Sequence, residues 1–202
     1  MKRNFSQRSV GAVLAILALS VVSFAQSAQA SFPDIKIKNF GQMDARFYRG
    51  AQPKEDDYPA LAALGIKTVI DLRNDAKGYA RRAVEALGMR YVNIPMSDKH
   101  YPREEQIEAF LKIAGDPETG AFYVHCAGGR HRTGVAGAVY RFTKYQWNYE
   151  QVYKEMKDYD FYSRWGHGDM KKYVQDYWQR VQTSSAPTPT AATTVTLAPV
   201  LK

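Results

Sequence analysis

One short apolar run limits the possible folds more than any other feature. Residues 121–125, AFYVH, lead directly into a glycine- and arginine-rich loop, CAGGRHRTG, at residues 126–134. A run without alternation of apolar and polar residues is typical of a central strand. Residues 133–145 then predict a helix whose first turns are small residues, GVAGA, which pack closely on a sheet. The loop is therefore predicted at the carboxyl end of a strand, where ligands bind in α/β proteins.

Predicted strands and predicted helices also alternate along the rest of the chain. Strands are predicted at residues 46–49, 67–72 and 89–94, and helices at residues 57–64, 80–87 and 102–114. Two further helices are predicted to begin near Asn148 and Asp169. Buried positions are predicted on the last helix at Tyr173, Val174, Tyr177, Trp178 and Val181. Alternating strands and helices predict an α/β domain with a central, mainly parallel sheet flanked by helices.

The two ends of the chain differ in composition from this domain. Three basic residues precede an apolar run at residues 10–22, and AQA follows at residues 28–30. This pattern predicts a cleaved signal peptide at residues 1–30, because the run is shorter than the roughly 20 residues of a membrane-spanning helix. Residues 183–202, rich in Thr, Ala, Pro and Ser, predict a disordered tail. We expect a folded domain at residues 34–182, periplasmic and without a membrane span after cleavage.

Charge and composition narrow the classes of partner. The formal net charge is +8, and it is +5 (25 basic minus 20 acidic residues) once residues 1–30 are removed. A dispersed positive excess suits an anionic substrate, but without a long Lys/Arg run it does not predict nucleic-acid binding. The four histidines lack the spacing of metal ligands, so no metal and no cofactor is predicted. A monomer is expected.

The loop holds Cys126, the one cysteine of the chain. It cannot form an internal disulfide, and an unpaired thiol in an oxidising compartment indicates a residue kept for its reactivity. A helix N-terminus and nearby cations lower the pKa of a thiol, which predicts a nucleophilic thiolate rather than an inert core thiol. Arg132 can bind two phosphate oxygens with its planar guanidinium, and the Thr133 hydroxyl can donate to the sulfur.

The same loop is predicted to surround a phosphate group. Its backbone N–H groups would converge on the anion together with the N-terminus of the following helix. Consecutive glycines permit positive φ, Arg130 and His131 would add positive charge, and the His125 ring would hydrogen-bond the loop backbone. The residues predicted to bind or support the substrate are His125, Ala127, Gly128, Gly129, Arg130, His131 and Thr133.

These residues also carry a family resemblance. HCAGGRHRTG, at residues 125–134, resembles the HC-x5-R-[ST]-G signature of the cysteine-dependent protein tyrosine and dual-specificity phosphatases. YRGAQP at residues 48–53 and LGIKTVIDLR at residues 64–73 resemble an early segment and the second strand of small members. The resemblance implies the compact dual-specificity phosphatase domain. It also implies an acid in a loop about 30 residues before the cysteine, where Asp98 follows a predicted strand.

The resemblance implies catalysis by Cys126, Arg132 and Asp98 through a cysteinyl-phosphate, with a phosphorylated protein as substrate. An inositol polyphosphate is the alternative, because similar basic loops occur in the plant and fungal branch that acts on inositol pyrophosphates. Two other classes stay open on the residues alone. One is a phosphate-binding module without turnover, and the other is a rhodanese-type sulfur transferase, which usually has a shorter loop.

Overall fold

The residues with a defined structure cover the predicted domain. A computed structural model of the chain describes residue 32 and residues 34–185. The predicted signal peptide at residues 1–30 lies outside the described residues, and so do residues 186–202 of the predicted tail. Among the helices of the described residues, none has the length and apolar character needed to cross a membrane.

The start of the predicted tail requires a correction. Residues 183–185 are not disordered but complete the last helix, which ends at Ser185. The Thr183 hydroxyl donates to the carbonyl oxygens of Gln179 and Arg180, at 3.2 and 2.9 Å. These bonds within one helical turn satisfy the Thr183 hydroxyl, so the polar composition of residues 183–185 does not end the helix.

A five-stranded sheet forms the centre of the domain, in the order β1-β2-β5-β3-β4. The strands are β1 (Gly41–Gln42), β2 (Phe47–Ala51), β3 (Ile66–Arg73), β4 (Arg90–Met96) and β5 (Ala121–Cys126). The short β1 pairs antiparallel with β2, and the other pairs are parallel. Thus β5 lies in the middle of the sheet, as its apolar run predicts, and its carboxyl end carries the glycine-rich loop.

In the described part of the chain, six α-helices cover the two faces of this sheet. They are α1 (Tyr58–Ala63), α2 (Ala80–Ala86), α3 (Glu104–Gly115), α4 (His131–Tyr140), α5 (Tyr149–Asp158) and α6 (Gly168–Ser185). Alternate residues of β5 enter two separate cores. Phe122 and Val124 pack with residues of α3 to α6, while Tyr123 packs with α1 and α2. This burial on both faces confirms the α/β prediction.

Most predicted elements are present, with shifted ends. The helix after the loop begins at His131, and a π-helical turn at Arg141–Tyr145 follows its α-helical part. The fifth helix has the predicted capping box, in which the Asn148 side chain accepts from the Gln151 N–H. Strand β1, of two residues, was not predicted. On α6, Tyr173 and Val174 are fully buried. The predicted burial of Tyr177, Trp178 and Val181 is only partial, because they lie in the half of the helix that approaches the exposed C-terminal end.

Candidate active site

The loop after β5 is held from outside by three residues of the N-terminal part of the chain. The Gln52 N–H donates to the Ala127 carbonyl at 3.2 Å, and the Asn39 side-chain amide donates to the Gly128 carbonyl at 2.8 Å. The buried Arg49 guanidinium donates to the Gly129 carbonyl at 2.7 Å. Because a planar peptide directs its C=O and the next N–H in opposite directions, the following N–H groups point to the inside of the loop. The loop therefore presents a concave surface of hydrogen-bond donors.

Gly129 is the point at which this loop touches the sheet. Its φ is +68°, and a Cβ built there would lie 2.5 Å from the carbonyl carbon of Gly50 and 2.7 Å from the nitrogen of Ala51. Only glycine fits this backbone contact. A Cβ on the neighbouring Gly128 would meet nothing closer than Arg130 Cδ at 3.7 Å, so the two consecutive glycines are under different constraints.

Cys126 lies at the base of the loop, and its environment favours the thiolate. Burial alone would raise the pKa of the thiol. The hydroxyl and N–H of Thr133, the charge of Arg132 and the N–H of Arg130 outweigh that effect and lower the pKa below its ordinary value. The first turn of α4 thus supplies the stabilising groups, as expected for a cysteine at a helix N-terminus.

Arg132 is fixed at one end of its guanidinium and available at the other. Its Nη1 donates to Asn74 Oδ1 at 3.1 Å and to the carbonyl oxygen of Met96 at 3.0 Å. Its buried Nε has no hydrogen-bond partner among the described residues. A buried, unpaired donor costs free energy unless a ligand satisfies it, so this edge of the guanidinium is suited to an anion above Cys126.

Seven of the ten predicted site residues line one pocket above the loop. They are Asp98, Cys126, Ala127, Gly128, Arg130, His131 and Arg132. Asp98 belongs to the exposed segment that follows β4, so a carboxyl group and the thiol lie in the same cavity, as predicted. The arrangement brings a thiol with a lowered pKa, a guanidinium and a carboxyl group together in one pocket.

The other three predicted residues lie behind the lining. The predicted hydrogen bond from the His125 ring to the loop backbone is not formed, because neither ring nitrogen has a hydrogen-bond partner among the described residues. Thr133 acts on the sulfur, and Gly129 makes the contact with β2. His125 is fully buried in β5, with Nδ1 3.8 Å from Asp71 Oδ1 and its ring stacked on Tyr123. Burial lowers the pKa of His125 to about 4, so its ring is neutral at neutral pH.

The predicted positive charge of His131 is absent for the same reason. Burial lowers its pKa to about 4, and the nearby His167 and Arg130 act in the same direction. Arg130 therefore carries the positive charge of this part of the pocket, with Nη2 3.6 Å from Asp160 Oδ2 and its guanidinium near the Tyr162 ring. Its charge is partly balanced, which reduces the field that the loop sequence alone would predict.

Tyr162 and His167 complete the lining, and neither was among the predicted site residues. Both come from the connection between α5 and α6, which has no periodic pattern to place it over the loop. The signal that could have identified His167 is its position in WGHG, at residues 165–168, where a histidine stands between two glycines. Within the described residues, no group of three or more His, Cys, Asp or Glu side chains is arranged to hold a metal ion.

Comparison with known proteins gives a consistent family assignment. The family described as "DSP-PTPase phosphatase fused to NAD+ Kinase" matches residues 18–174. "Probable tyrosine-protein phosphatase DG1060" of Dictyostelium discoideum is 30% identical over 125 residues, which cover 59% of this chain and 74% of that protein. The dual specificity protein phosphatase TpbA of Pseudomonas aeruginosa is 27% identical over 143 residues, which cover 70% of this chain and 60% of TpbA.

Solved structures show the same fold. The crystal structure of P. aeruginosa TpbA matches with a TM-score of 0.61 at 23% identity, over 76% of this chain and 95% of that one. The core catalytic domain of the PP-IP phosphatase SIW14 from S. cerevisiae matches with a TM-score of 0.60 at 19% identity, over 73% and 93% of the two chains. The predicted compact phosphatase-type domain is thereby confirmed.

Proposed function

The chain belongs to the DSP-PTPase phosphatase family, and from this membership we propose that Cys126, Arg132 and Asp98 hydrolyse phosphate monoesters through a cysteinyl-phosphate intermediate. One observation carries the assignment of these three residues. The thiol with the lowered pKa, the unpaired Nε of Arg132 and the carboxyl group of Asp98 belong to one pocket.

The first step transfers the phosphoryl group to sulfur. The Cys126 thiolate attacks phosphorus, and the S–P bond forms as the P–O bond to the leaving group breaks. The Asp98 carboxyl group gives its proton to the departing oxygen, which leaves as an alcohol or phenol. Arg132 and the N–H groups inside the loop hold the charge on the three remaining phosphoryl oxygens.

The second step returns the enzyme to its starting state. The Asp98 carboxylate takes a proton from a water molecule, whose oxygen attacks phosphorus as the S–P bond breaks. Inorganic phosphate leaves, and the thiolate and the protonated carboxyl group are restored.

We propose phosphotyrosine as the main substrate class. TpbA, which shares the fold, has been crystallised with phosphotyrosine. In the present chain, Tyr162 forms part of the pocket wall, where an aromatic ring of the substrate could pack against it. The competing substrate class is an inositol polyphosphate. The observation in its favour is Arg130, whose buried Nε lacks a partner among the described residues and whose side chain lines the pocket.

Phosphate release separates these two classes. The full chain, kept reduced, is assayed with a phosphotyrosine peptide, a phosphoserine peptide and inositol hexakisphosphate, with Cys126→Ser as the control. We expect release from the phosphotyrosine peptide that is absent in the variant. Preferential release from inositol hexakisphosphate would assign the other class. A folded chain that binds phosphate but hydrolyses none of the three esters would contradict the enzymatic proposal in favour of a phosphate-binding module.

We further propose that the enzyme is exported and acts in the periplasm as a monomer. The support is the basic and apolar pattern of residues 1–30 followed by AQA, together with the single cysteine. N-terminal sequencing of the protein from a bacterial periplasmic fraction should give a chain that begins at Ser31. Sedimentation equilibrium of that protein should give the mass of one chain.

A further inference from the structure

The connection between α5 and α6 is shaped so that one of its side chains reaches the pocket. Trp165 and Gly166 both have left-handed backbone angles, with φ of +54° and +87°. The Cα of Gly166 faces the side chain of Lys99, since a Cβ built on it would lie 3.6 Å from Lys99 Cδ. This close approach places the connection directly against the segment that carries Asp98. The next residue, His167, is 8% exposed and lines the pocket.

His167 bonds the backbone of the residue proposed as the acid. Its Nδ1 lies 2.7 Å from the carbonyl oxygen of Asp98, 69 positions away in the chain. A carbonyl oxygen can only accept, so the ring must carry a proton on Nδ1 and donate it. The bond therefore acts on the main chain of Asp98 and leaves the carboxyl group free.

Few other contacts restrain residues 97–100, the segment that carries Asp98. In the described part of the chain, the other hydrogen bonds of residues 97–100 are local, from the N–H groups of Lys99 and His100 to Ser97 Oγ. Asp98, Lys99 and His100 are all exposed. A short exposed segment with only local bonds samples several backbone conformations. The bond from His167 is thus its long-range restraint.

The ring of His167 is itself fixed by the phosphate-binding loop. It stacks on His131, with 3.6 Å between the ring centroids and 9° between the planes. His131 is the first residue of α4, next to Arg132, and it is uncharged at neutral pH, so the close stack involves no repulsion between two cations. Through this pair of rings the loop that binds the phosphate is connected to the segment that carries the acid.

We propose that His167 is a positioning residue, which donates to the Asp98 carbonyl while stacked on His131 and so holds the Asp98 carboxyl group over Cys126. The inference rests on the proposed function, in which Asp98 protonates the leaving group. Misplacement of a reacting group by about 1 Å can reduce a rate by about 10²-fold. Loss of the restraint should therefore impair proton donation while phosphate binding and the thiolate stay unchanged.

Two phosphate esters separate proton donation from the other steps. The p-nitrophenolate ion leaves readily without a proton, whereas phenolate needs one, so a weakened acid slows phenyl phosphate more than p-nitrophenyl phosphate. The measured quantity is the ratio of kcat/KM for the two esters, determined on the full chain, because kcat/KM reports the transfer to sulfur and not the hydrolysis of the cysteinyl-phosphate that both esters share. Asp98→Asn provides the reference for complete loss of the acid.

The variants of His167 test the hydrogen bond and the ring stack independently. His167→Phe keeps a flat ring on His131 but has no donor, and His167→Asn keeps a donor close to the position of Nδ1 but has no ring. His100→Ala is the matched control, because it removes an exposed histidine of the same segment that has no long-range hydrogen bond through the described residues.

We expect His167→Phe to reduce kcat/KM for phenyl phosphate about 10-fold more than for p-nitrophenyl phosphate, in the same direction as Asp98→Asn. His167→Asn should restore the ratio to within about 2-fold of the wild-type value, and His100→Ala should not change it. An equal loss for both esters in His167→Phe, or no rescue by His167→Asn, would overturn the positioning role.

The outcome also distinguishes this inference from the proposed function. If the wild-type chain is active and Asp98→Asn changes the ratio but His167→Phe does not, only the positioning role is wrong. If the wild-type chain releases phosphate from neither ester, the proposed function itself is wrong, and His167 has no acid to position.

Discussion

The two consecutive glycines of the loop allow a matched test of how the pocket is built. Substitution of Gly129 by alanine forces a residue with a Cβ to keep a φ of +68°, which costs about 1–2 kcal/mol. The new Cβ would also lie 2.5 Å from the Gly50 carbonyl carbon, and the backbone shift that relieves this overlap costs about 1–3 kcal/mol. Gly129→Ala should therefore lower the free energy of unfolding by about 2–5 kcal/mol.

The neighbouring substitution is the control. An alanine Cβ at position 128 would approach only Arg130, at 3.7 Å, which is ordinary van der Waals contact. Gly128→Ala should stay within about 1 kcal/mol of the wild-type protein. For a domain of this size, 1 kcal/mol corresponds to about 2–4 °C in Tm, so the two variants should differ clearly in thermal unfolding followed by circular dichroism.

Phosphate binding provides a second measurement on the two glycine variants. The shift that relieves the overlap at Gly129 moves the loop away from β2, so Gly129→Ala should lose phosphate binding even at temperatures where it stays folded. The reasoning is refuted if Gly129→Ala unfolds within about 1 kcal/mol of the wild-type protein, or if both variants are destabilised equally.

Three further predictions follow from the groups around the thiol. Thr133→Val should raise the pKa of Cys126, because a group that stabilises the thiolate is lost; the pH midpoint of iodoacetamide alkylation should move upward, and an unchanged midpoint would contradict the assignment. Arg132→Lys keeps the charge but not the planar grip, so kcat/KM should fall about 10²- to 10³-fold in steady-state assays, and a fall below 3-fold would argue against an anion bound by this guanidinium. Stability should also decline in mild acid, because His125 and His131 have pKa values near 4 in the folded chain and an ordinary value of 6.5 when unfolded. Below pH 6.5 such a histidine binds a proton in the unfolded chain but not in the folded one, so the free energy of unfolding falls as the pH falls from 6.5 towards 4. For His125 alone the loss at pH 5 should be about 2 kcal/mol, seen as a lower urea midpoint than at pH 7.

The parts of the site that are contiguous in the chain could be predicted from the sequence. Cys126, the loop and the first turn of α4 follow one another, so a strand pattern, two glycines and a helix pattern are enough to place them. Asp98 could be placed at the same edge of the sheet because it follows a strand in a parallel sheet, where strand ends share one edge. Its choice as the acid also depended on the family resemblance, which implies an acid about 30 residues before the cysteine.

The parts that depend on tertiary contact could not be predicted in this way. Asn39 and Arg49 reach the loop carbonyls from positions 89 and 80 residues earlier, and no pattern specifies such a bond. The neutral state of His131 arises from burial under the connection between α5 and α6, so the loop sequence suggests a charge that the folded site does not have. His167 stands between two glycines in the sequence, but its contact with Asp98 depends on the path of an irregular segment.

The support of the loop by residues of the N-terminal part has a consequence for when the protein becomes chemically reactive. Strand β2 pairs with β5, and this pairing spans more than 70 residues, so the two strands meet late in folding. Until then the carbonyls of the loop are not held, Thr133 and Arg132 do not surround the sulfur, and the thiol has the acidity of an ordinary cysteine. A newly made chain that has not yet folded is therefore less sensitive to oxidants and alkylating agents than the folded enzyme. The reactivity of Cys126 develops only when the first and last strands of the parallel sheet have closed around it.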